Sequence, residues 1–312
     1  MKRQPVLLDV DTGVDDALAI ALALRSPELE VVGITTVSGN VPVAQATANT
    51  LLVLERLGAT AVPVVSGAAR PLLRPPRHAT TVHGMDGLGD LPGRRPARAR
   101  TAEADAAGFL LDALARRPET VLVATGPLTN VAQALQKDGA RLRGLRGLWA
   151  MGGAIAVPGN VTPAAEFNVW ADPEAAALVF AAGLPLTLVP LDVTERVVLP
   201  ESRLEAAAAR GPLQAFLRDI SRPALEFHRR EEGIAGLFLH DPLAVAAVAQ
   251  PALLTRRTLP VAVECRGEHT AGMTVADRRR RARGGGIGVC TEVDAERFLR
   301  LFQARVLEKG EP

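Results

Sequence analysis

A chain of 312 residues that is 48% hydrophobic can bury the core of one large domain or of two small ones. A net charge of only +2 argues against nucleic acid as a main partner, and two cysteines, Cys265 and Cys290, outside any CxxC pattern give no disulfide framework and fit a reducing cytoplasm. The opening MKRQPVLLDVDTG is no signal peptide, because acids interrupt the apolar stretch early, and Gly183 and Pro185 break the longest apolar run, Ala175 to Leu191, so no membrane span is expected.

Along the chain, apolar runs alternate with helical periods. Val6–Val10 predicts a buried strand and Val14–Arg25 a helix; Glu30–Val37 and Val43–Leu57 repeat the pair. Val62–Ser66 is a third strand. The stretch from Arg70 to Arg100 is rich in Pro, Gly and Arg, structureless by pattern, and long enough to be a mobile loop near the active site. A helix over Glu103–Arg116, a strand over Thr120–Ala124, a helix over Thr129–Gln136 and a strand over Leu145–Met151 follow. Asp172-Pro173-Glu174 is a helix start, with an N-cap, proline in the first position and an early acid, for a helix over Pro173–Ala182. A sixth strand covers Pro185–Leu191.

The C-terminal part predicts helices over Leu213–Arg229 and Pro242–Ala249, strand-like runs over Thr258–Cys265, Gly272–Val275 and Gly286–Val293, and a last helix over Ala295–Val306. The fold class is therefore α/β: a single domain over residues 1–312, with an open, mainly parallel sheet flanked by helices and a small added β element.

In such sheets ligands bind beyond the carboxyl ends of the strands. Asp11, Asp15 and Asp16 follow the first strand, Gly39 and Asn40 the second, TGPLTN the fourth, MGGAIAVPGNVTPAAEFN the fifth and Asp192 the sixth. The segment DVDTGVDD alone holds four aspartates, and a single helix cap needs one. Oxygen donors in this number suit a hard cation, calcium or magnesium. An EF-hand is excluded, since Val14 and Ile20 stand where its glycine and glutamate belong when counting from Asp9. A haloacid-dehalogenase-like, magnesium-dependent phosphatase with Asp9 as nucleophile is one enzymatic reading.

DVDTGVDDALAI resembles the DxDxGxDDAxA signature of the inosine–uridine-preferring nucleoside hydrolases. TTVSGNV, HGMDGLG, ATGPLTN, MGGAIAVPGNVTPAAEFNVWADPEAA, LFLHDPLAVA and GEHTAGMTVADRR resemble further elements of that family in order, over nearly the whole chain. The resemblance implies a Rossmann-like core, a homodimer or homotetramer, and calcium-dependent hydrolysis of ribonucleosides to ribose and free base; the rivals to that reading are the magnesium-dependent phosphatase and a non-catalytic nucleoside-binding protein. It implies calcium ligands at Asp11, Asp16, Asp241 and the carbonyl of Thr125, with Asp11 also the general base. Asp15, Asn40, Asn160, Glu166 and Asn168 would hold the ribose hydroxyls, and Met151 would line the ribose site. His240, beside Asp241, is the candidate acid for the departing base. His83 in its Gly-rich loop, and His228 and Glu232 in EFHRREEGIAG, are candidate base contacts, and the absence of tyrosine departs from the family's usual base pocket. The basic run Asp277 to Gly286 reads as a solvated hairpin tip, His78 and His269 as surface residues, and Trp149 and Trp170 as packing.

Overall fold

Gln4–Val10 (β1) is apolar on both faces because it lies in the middle of the sheet, with helices above and below. The structure is a computed structural model and describes residues 3–92, 97, 101–102, 105–279 and 286–308. The strands after β1 are Leu29–Thr36 (β2), Val64–Ser66 (β3), Val121–Ala124 (β4), Gly147–Met151 (β5), Leu186–Val189 (β6), Val198–Pro200 (β7), Gly236–Phe238 (β8), Leu254–Leu259 (β9), Val261–Val263 (β10), Thr274–Ala276 (β11) and Ile287–Val293 (β12). Eight of them form the central sheet in the order β3-β2-β1-β4-β5-β6-β12-β9. All neighbours are parallel except β9, which runs antiparallel to β12 at the edge.

The alternation of β1 divides the core. Val6, Leu8 and Val10 pack with the helices Val14–Arg25 and His240–Ala249, while Leu7 packs with Ala106–Arg116, Thr129–Leu142 and Pro173–Ala181 on the other face. Each fully buried leucine of this kind is worth about 1.5–3 kcal/mol. The strand order reverses between β1 and β4, so the loops after these two strands diverge and leave a crevice at their carboxyl ends.

The six N-terminal strands and, Thr129–Gln136 apart, their intervening helices lie where the sequence predicts them, to within a few residues; positions 103 and 104 of the predicted helix Glu103–Arg116 lie outside the described residues. Elsewhere the structure corrects the expectation. The predicted strand Thr258–Cys265 is two strands of different sheets, divided at Pro260: β9 joins the main sheet and β10 pairs with β11. Proline has no N–H to continue a ladder, and the chain turns there. The helix predicted to end at Gln136 continues to Leu142 across a kink at Asp138. Arg70 to Arg100 is not without structure. Thr80–His83 forms a helical turn and Leu88 is fully buried; residues 93–96 and 98–100 lie outside the described residues. Residues 280–285 of the basic run lie outside them as well. The short β7–β8 pair and the helices Phe167–Ala171 and Glu201–Ala208 are absent from the sequence reading, being brief or weakly periodic. Among the described residues no helix is long and apolar enough to cross a membrane.

Candidate active site

β1 brings Asp11 to the crevice, and the helix Val14–Arg25 starts three residues later with Asp15 and Asp16 in its first turn. Asp16 folds back on its own helix start, where its Oδ2 accepts the Gly13 N–H at 3.0 Å. The same oxygen accepts Asn40 Nδ2 at 3.2 Å, and Oδ1 accepts the Thr125 hydroxyl at 2.7 Å. Asp11 Oδ2 accepts the Asn40 N–H at 2.7 Å, and Asp15 Oδ2 accepts the Asp241 N–H at 2.8 Å. The ends of β1, β2 and β4 and the start of the His240–Ala249 helix therefore meet around three carboxylates.

The loop after β5 closes the other side. Glu166 caps the helix Phe167–Ala171, accepting the N–H groups of Asn168 at 2.8 Å and Val169 at 3.1 Å, and it also accepts the Gly153 N–H at 2.8 Å. Asn168 Nδ2 donates to the carbonyl oxygens of Thr125, at 2.7 Å, and Met151, at 3.2 Å. Asn160 Oδ1 accepts the Phe167 N–H at 3.0 Å. Asp192 accepts the N–H groups of Ile155 and Ala156, both at 2.8 Å, and so pins this loop to the end of β6.

Above these residues is a cavity of about 360 Å³, the size of a small-molecule site. Asp15, Asn40, Thr125, Met151, Asn160, Glu166, Asn168 and Asp241 all line it, while Asp11 and Asp16 lie fully buried just beneath. Gly39 leaves room for this arrangement. A Cβ there would collide with the Asp11 carboxylate and lie 2.7 Å from Pro127 Cδ. Gly39→Ala is expected to cost about 1–3 kcal/mol, in the range of other overpacked sites, and to displace Asp11. Thermal unfolding together with a turnover assay checks this, and a variant that keeps wild-type stability and rate would show the loop to be compliant.

Burial and mutual repulsion govern the acids. Desolvation, then the charge of Asp16, hold Asp11 well above the usual carboxylate range. Burial does the same for Asp15, with Asp16 adding to it, and it raises Asp16 and Glu166. Asp241 is raised well above its usual value by burial and then by Asp16, Asp15, Asp11 and Glu166. Asp11 Oδ1 and Asp15 Oδ1 are buried without a hydrogen-bond partner. Carboxylates desolvated this closely need protons or a cation to relieve them. Among the described residues no group of three or more His, Cys, Asp or Glu side chains is placed to hold a metal ion by itself. A cation here would draw on backbone and water oxygens too, and the Thr125 carbonyl, although it accepts from Asn168, has a second lone pair. The orphaned oxygens, the oxygen-only donors and the excess of acid fit a hard divalent cation.

The far end of the cavity carries aromatic rings and histidines. Phe227, His228, Phe238 and His240 form a ladder of rings with successive centroids 5.9, 5.2 and 5.3 Å apart. His228 Nδ1 lies 3.2 Å from the Gly236 carbonyl oxygen, and His240 Nδ1 lies 2.7 Å from the Thr194 hydroxyl. His83 Nδ1 accepts the Val14 N–H at 3.2 Å, so its Nε2 carries the proton. Burial lowers all three histidines. His83 falls to about 4, with His228 adding to the effect, and His240 to about 3, with His228 and His83 adding. All three rings and Glu232 line the cavity.

Asp9 is not in the cavity wall. It is fully buried, and its Oδ1 accepts the Thr35 hydroxyl at 2.6 Å and Asn130 Nδ2 at 2.7 Å, an arrangement that ties β1 to its neighbours and removes the approach a phosphatase nucleophile needs. His78 is exposed, as its sequence reading as a surface residue expects, and it also stands at the cavity wall with Nδ1 2.9 Å from the Gly39 carbonyl oxygen. Trp170 also lines the cavity, with the Arg77 guanidinium 4.4 Å above its ring. Glu195 is a wall residue that the sequence reading missed. It lies three positions past Asp192, and the rule that flagged Asp192 after the sixth strand would have found it if carried one helical turn further.

The sequence model described as inosine-uridine preferring nucleoside hydrolase matches residues 6–300. Uridine nucleosidase 1 of Arabidopsis thaliana is 36% identical over 98% of this chain and 94% of its own length. The non-specific ribonucleoside hydrolase RihC of Escherichia coli (strain SMS-3-5 / SECEC) is 42% identical over 88% of each chain. The solved structure of a plant nucleoside hydrolase superposes with a TM-score of 0.94 at 33% identity, covering 99% of this chain and all of that one.

Proposed function

The chain belongs to the inosine-uridine preferring nucleoside hydrolase family and is a hydrolase acting on N-glycosyl compounds, and from that premise we propose that it cleaves ribonucleosides to ribose and free base in a calcium-dependent reaction. Asp11, Asp16, Asp241 and the carbonyl of Thr125 hold the calcium ion. Bound there, calcium supplies the positive charge that offsets the buried acids and makes nearby water more acidic. The observation that carries this reading is the unpartnered, buried Asp11 Oδ1 directly under a nucleoside-sized cavity.

Asp11 takes the proton of the attacking water. Asp15, Asn40, Asn160, Glu166 and Asn168 hold the ribose hydroxyls and set the orientation of C1′, with Met151 against the sugar. Cleavage of the C1′–N bond builds positive charge on the ring, and the surrounding carboxylates favour that charge. The base enters the aromatic ladder, where His83, His228, His240 and Glu232 contact it. Burial, His228 and His83 lower His240, the acid expected from the sequence, to about 3, so it is neutral near neutral pH and its proposed role becomes that of a hydrogen-bond partner of the base. Relatives named for uridine alone and for ribonucleosides without distinction support acceptance of a pyrimidine nucleoside. The quaternary structure we propose is a homodimer or homotetramer.

The test is a panel of inosine, adenosine, guanosine, uridine, cytidine and 4-nitrophenyl riboside, assayed by reducing-sugar release with and without a calcium chelator. Release that stops on chelation and returns with calcium is the expected result. No release from any substrate, with calcium shown to be bound, would leave a nucleoside-binding protein instead.

A further inference from the structure

We infer that Glu195, with Glu232 beside it, is the group that protonates the departing base. The inference rests on the hydrolase reading above and names the second half of its acid–base pair. A purine or pyrimidine leaves poorly as an anion, and a proton delivered as the bond breaks is worth about 10²–10⁴ in rate. The donor must therefore stand at the base end of the cavity, away from Asp11.

Glu195 stands there. It follows the helical turn Leu191–Thr194, next to the residue whose hydroxyl meets His240 Nδ1, and it lines the same cavity as Phe238, His240 and Glu232. Among the described residues no arginine, lysine or histidine forms an ion pair with it, and its neighbour Arg196 pairs with Glu292 instead. The charges around it are those of Glu232 and of Asp192. A half-buried carboxyl flanked by acids and lacking a cation keeps a proton that an ordinary glutamate loses. Burial, Glu232 and Asp192 together move Glu195 up to about 7, close to the value a general acid needs at neutral pH. Glu232 is raised by burial as well, and as the acids come together one of the two holds the proton.

The water oxygen bonds to C1′ while its proton passes to Asp11. The electron pair of the C1′–N bond goes to the base, and the Glu195 proton goes to a ring nitrogen or an exocyclic oxygen of that base. Glu195 then regains a proton from solvent at the open cavity, and Asp11 loses one.

The test is Glu195→Gln, with Glu195→Asp as the conservative variant, assayed on inosine, uridine and 4-nitrophenyl riboside. The nitrophenolate leaves without a proton, so its release also reports that the variant is folded and its ribose site intact. Glu195→Gln is expected to lower kcat for the nucleosides by about 10²-fold or more while leaving nitrophenyl riboside within about threefold. Glu195→Asp is expected to recover part of the nucleoside rate. Nucleoside turnover unchanged in Glu195→Gln, or equal losses on both kinds of substrate, would overturn the inference. A wild-type protein that released no sugar from any substrate would overturn the hydrolase reading and this inference with it.

Discussion

Asp11→Asn is expected to lower ribose release by at least about 10³-fold and to leave the fold intact. The side chain is nearly isosteric, and its remaining oxygen can still accept the Asn40 N–H that Asp11 Oδ2 accepts at 2.7 Å. What is lost is the base that takes the water proton, worth about 10²–10⁴ alone, and one carboxylate of the proposed calcium set. Stability should move the other way. Asp11 is fully buried, and burial and Asp16 already hold it well above the usual range, so a neutral amide relieves the calcium-free protein. The expected pattern is thus a dead enzyme with an equal or higher melting temperature in chelator. Wild-type turnover in Asp11→Asn would show that another group removes the proton.

The second large effect is a reversal of how stability depends on pH. In the calcium-free protein Asp9 is raised to about 6 by burial, Asp16 is raised, and Asp11, Asp15 and Asp241 are raised well above their ordinary values. An unfolded aspartate titrates near 3.8. Across the interval between, these aspartates hold more protons in the native state than in the unfolded one, so their contribution makes unfolding easier as the pH rises. The lowered His83, His228 and His240 act in the opposite sense as the unfolded histidines lose their protons near 6.5, and the strongly raised aspartates are expected to outweigh them. For Asp9 alone the contribution is present below about 3.8, is lost as the pH passes through about 6, and amounts to about 3 kcal/mol. In chelator the melting temperature should therefore be higher at pH 5.5 than at pH 7.5 (buffer values on the order of one unit either side of the ordinary histidine range). Calcium should raise it most at the higher pH, because protons compete for the same oxygens. A chelated protein that gains stability on going from the lower to the higher pH would contradict the sign, and a protein indifferent to calcium would contradict the ligand set.

Much of this was legible in the sequence, for reasons specific to each segment. DVDTGVDD could be read because a strand, a turn and a helix start are all local, and four acids exceed what capping requires. The loops after β2, β4 and β5 could be read because a parallel sheet brings its strand ends together whatever the tertiary detail. The base end could not be read in the same way. His78 and Glu195 reach the cavity through the packing of a long loop and a single helical turn, and neither carries a periodic signal. The ring ladder joins Phe227 and His228 to Phe238 and His240 through a π-helical turn, His228–Glu232, closed by Gly233 at a positive φ of 69°. That turn resets the direction of the side chains, which an ideal helical count does not anticipate. Pro260 shows the opposite failure: the signal was local and plain, but the apolar run around it outweighed it.

The placement of β12 bears on how the protein is made. β6 pairs with β5 on one side and on the other only with β12, which belongs to the last part of the chain; β9, earlier in sequence, joins the sheet through β12. A nascent chain that has left the ribosome as far as the end of the His240–Ala249 helix already has its acids and most of its cavity, yet β6, with Leu186, Leu188 and Val189, still presents an open hydrophobic edge. Such an edge is a template for any passing strand. Messages truncated before Ile287 would therefore yield chains with a nearly complete site and an unfinished sheet, substrates for chaperones and proteases. The C-terminal strand is the closing step of synthesis, although it contributes none of the residues proposed to carry the chemistry.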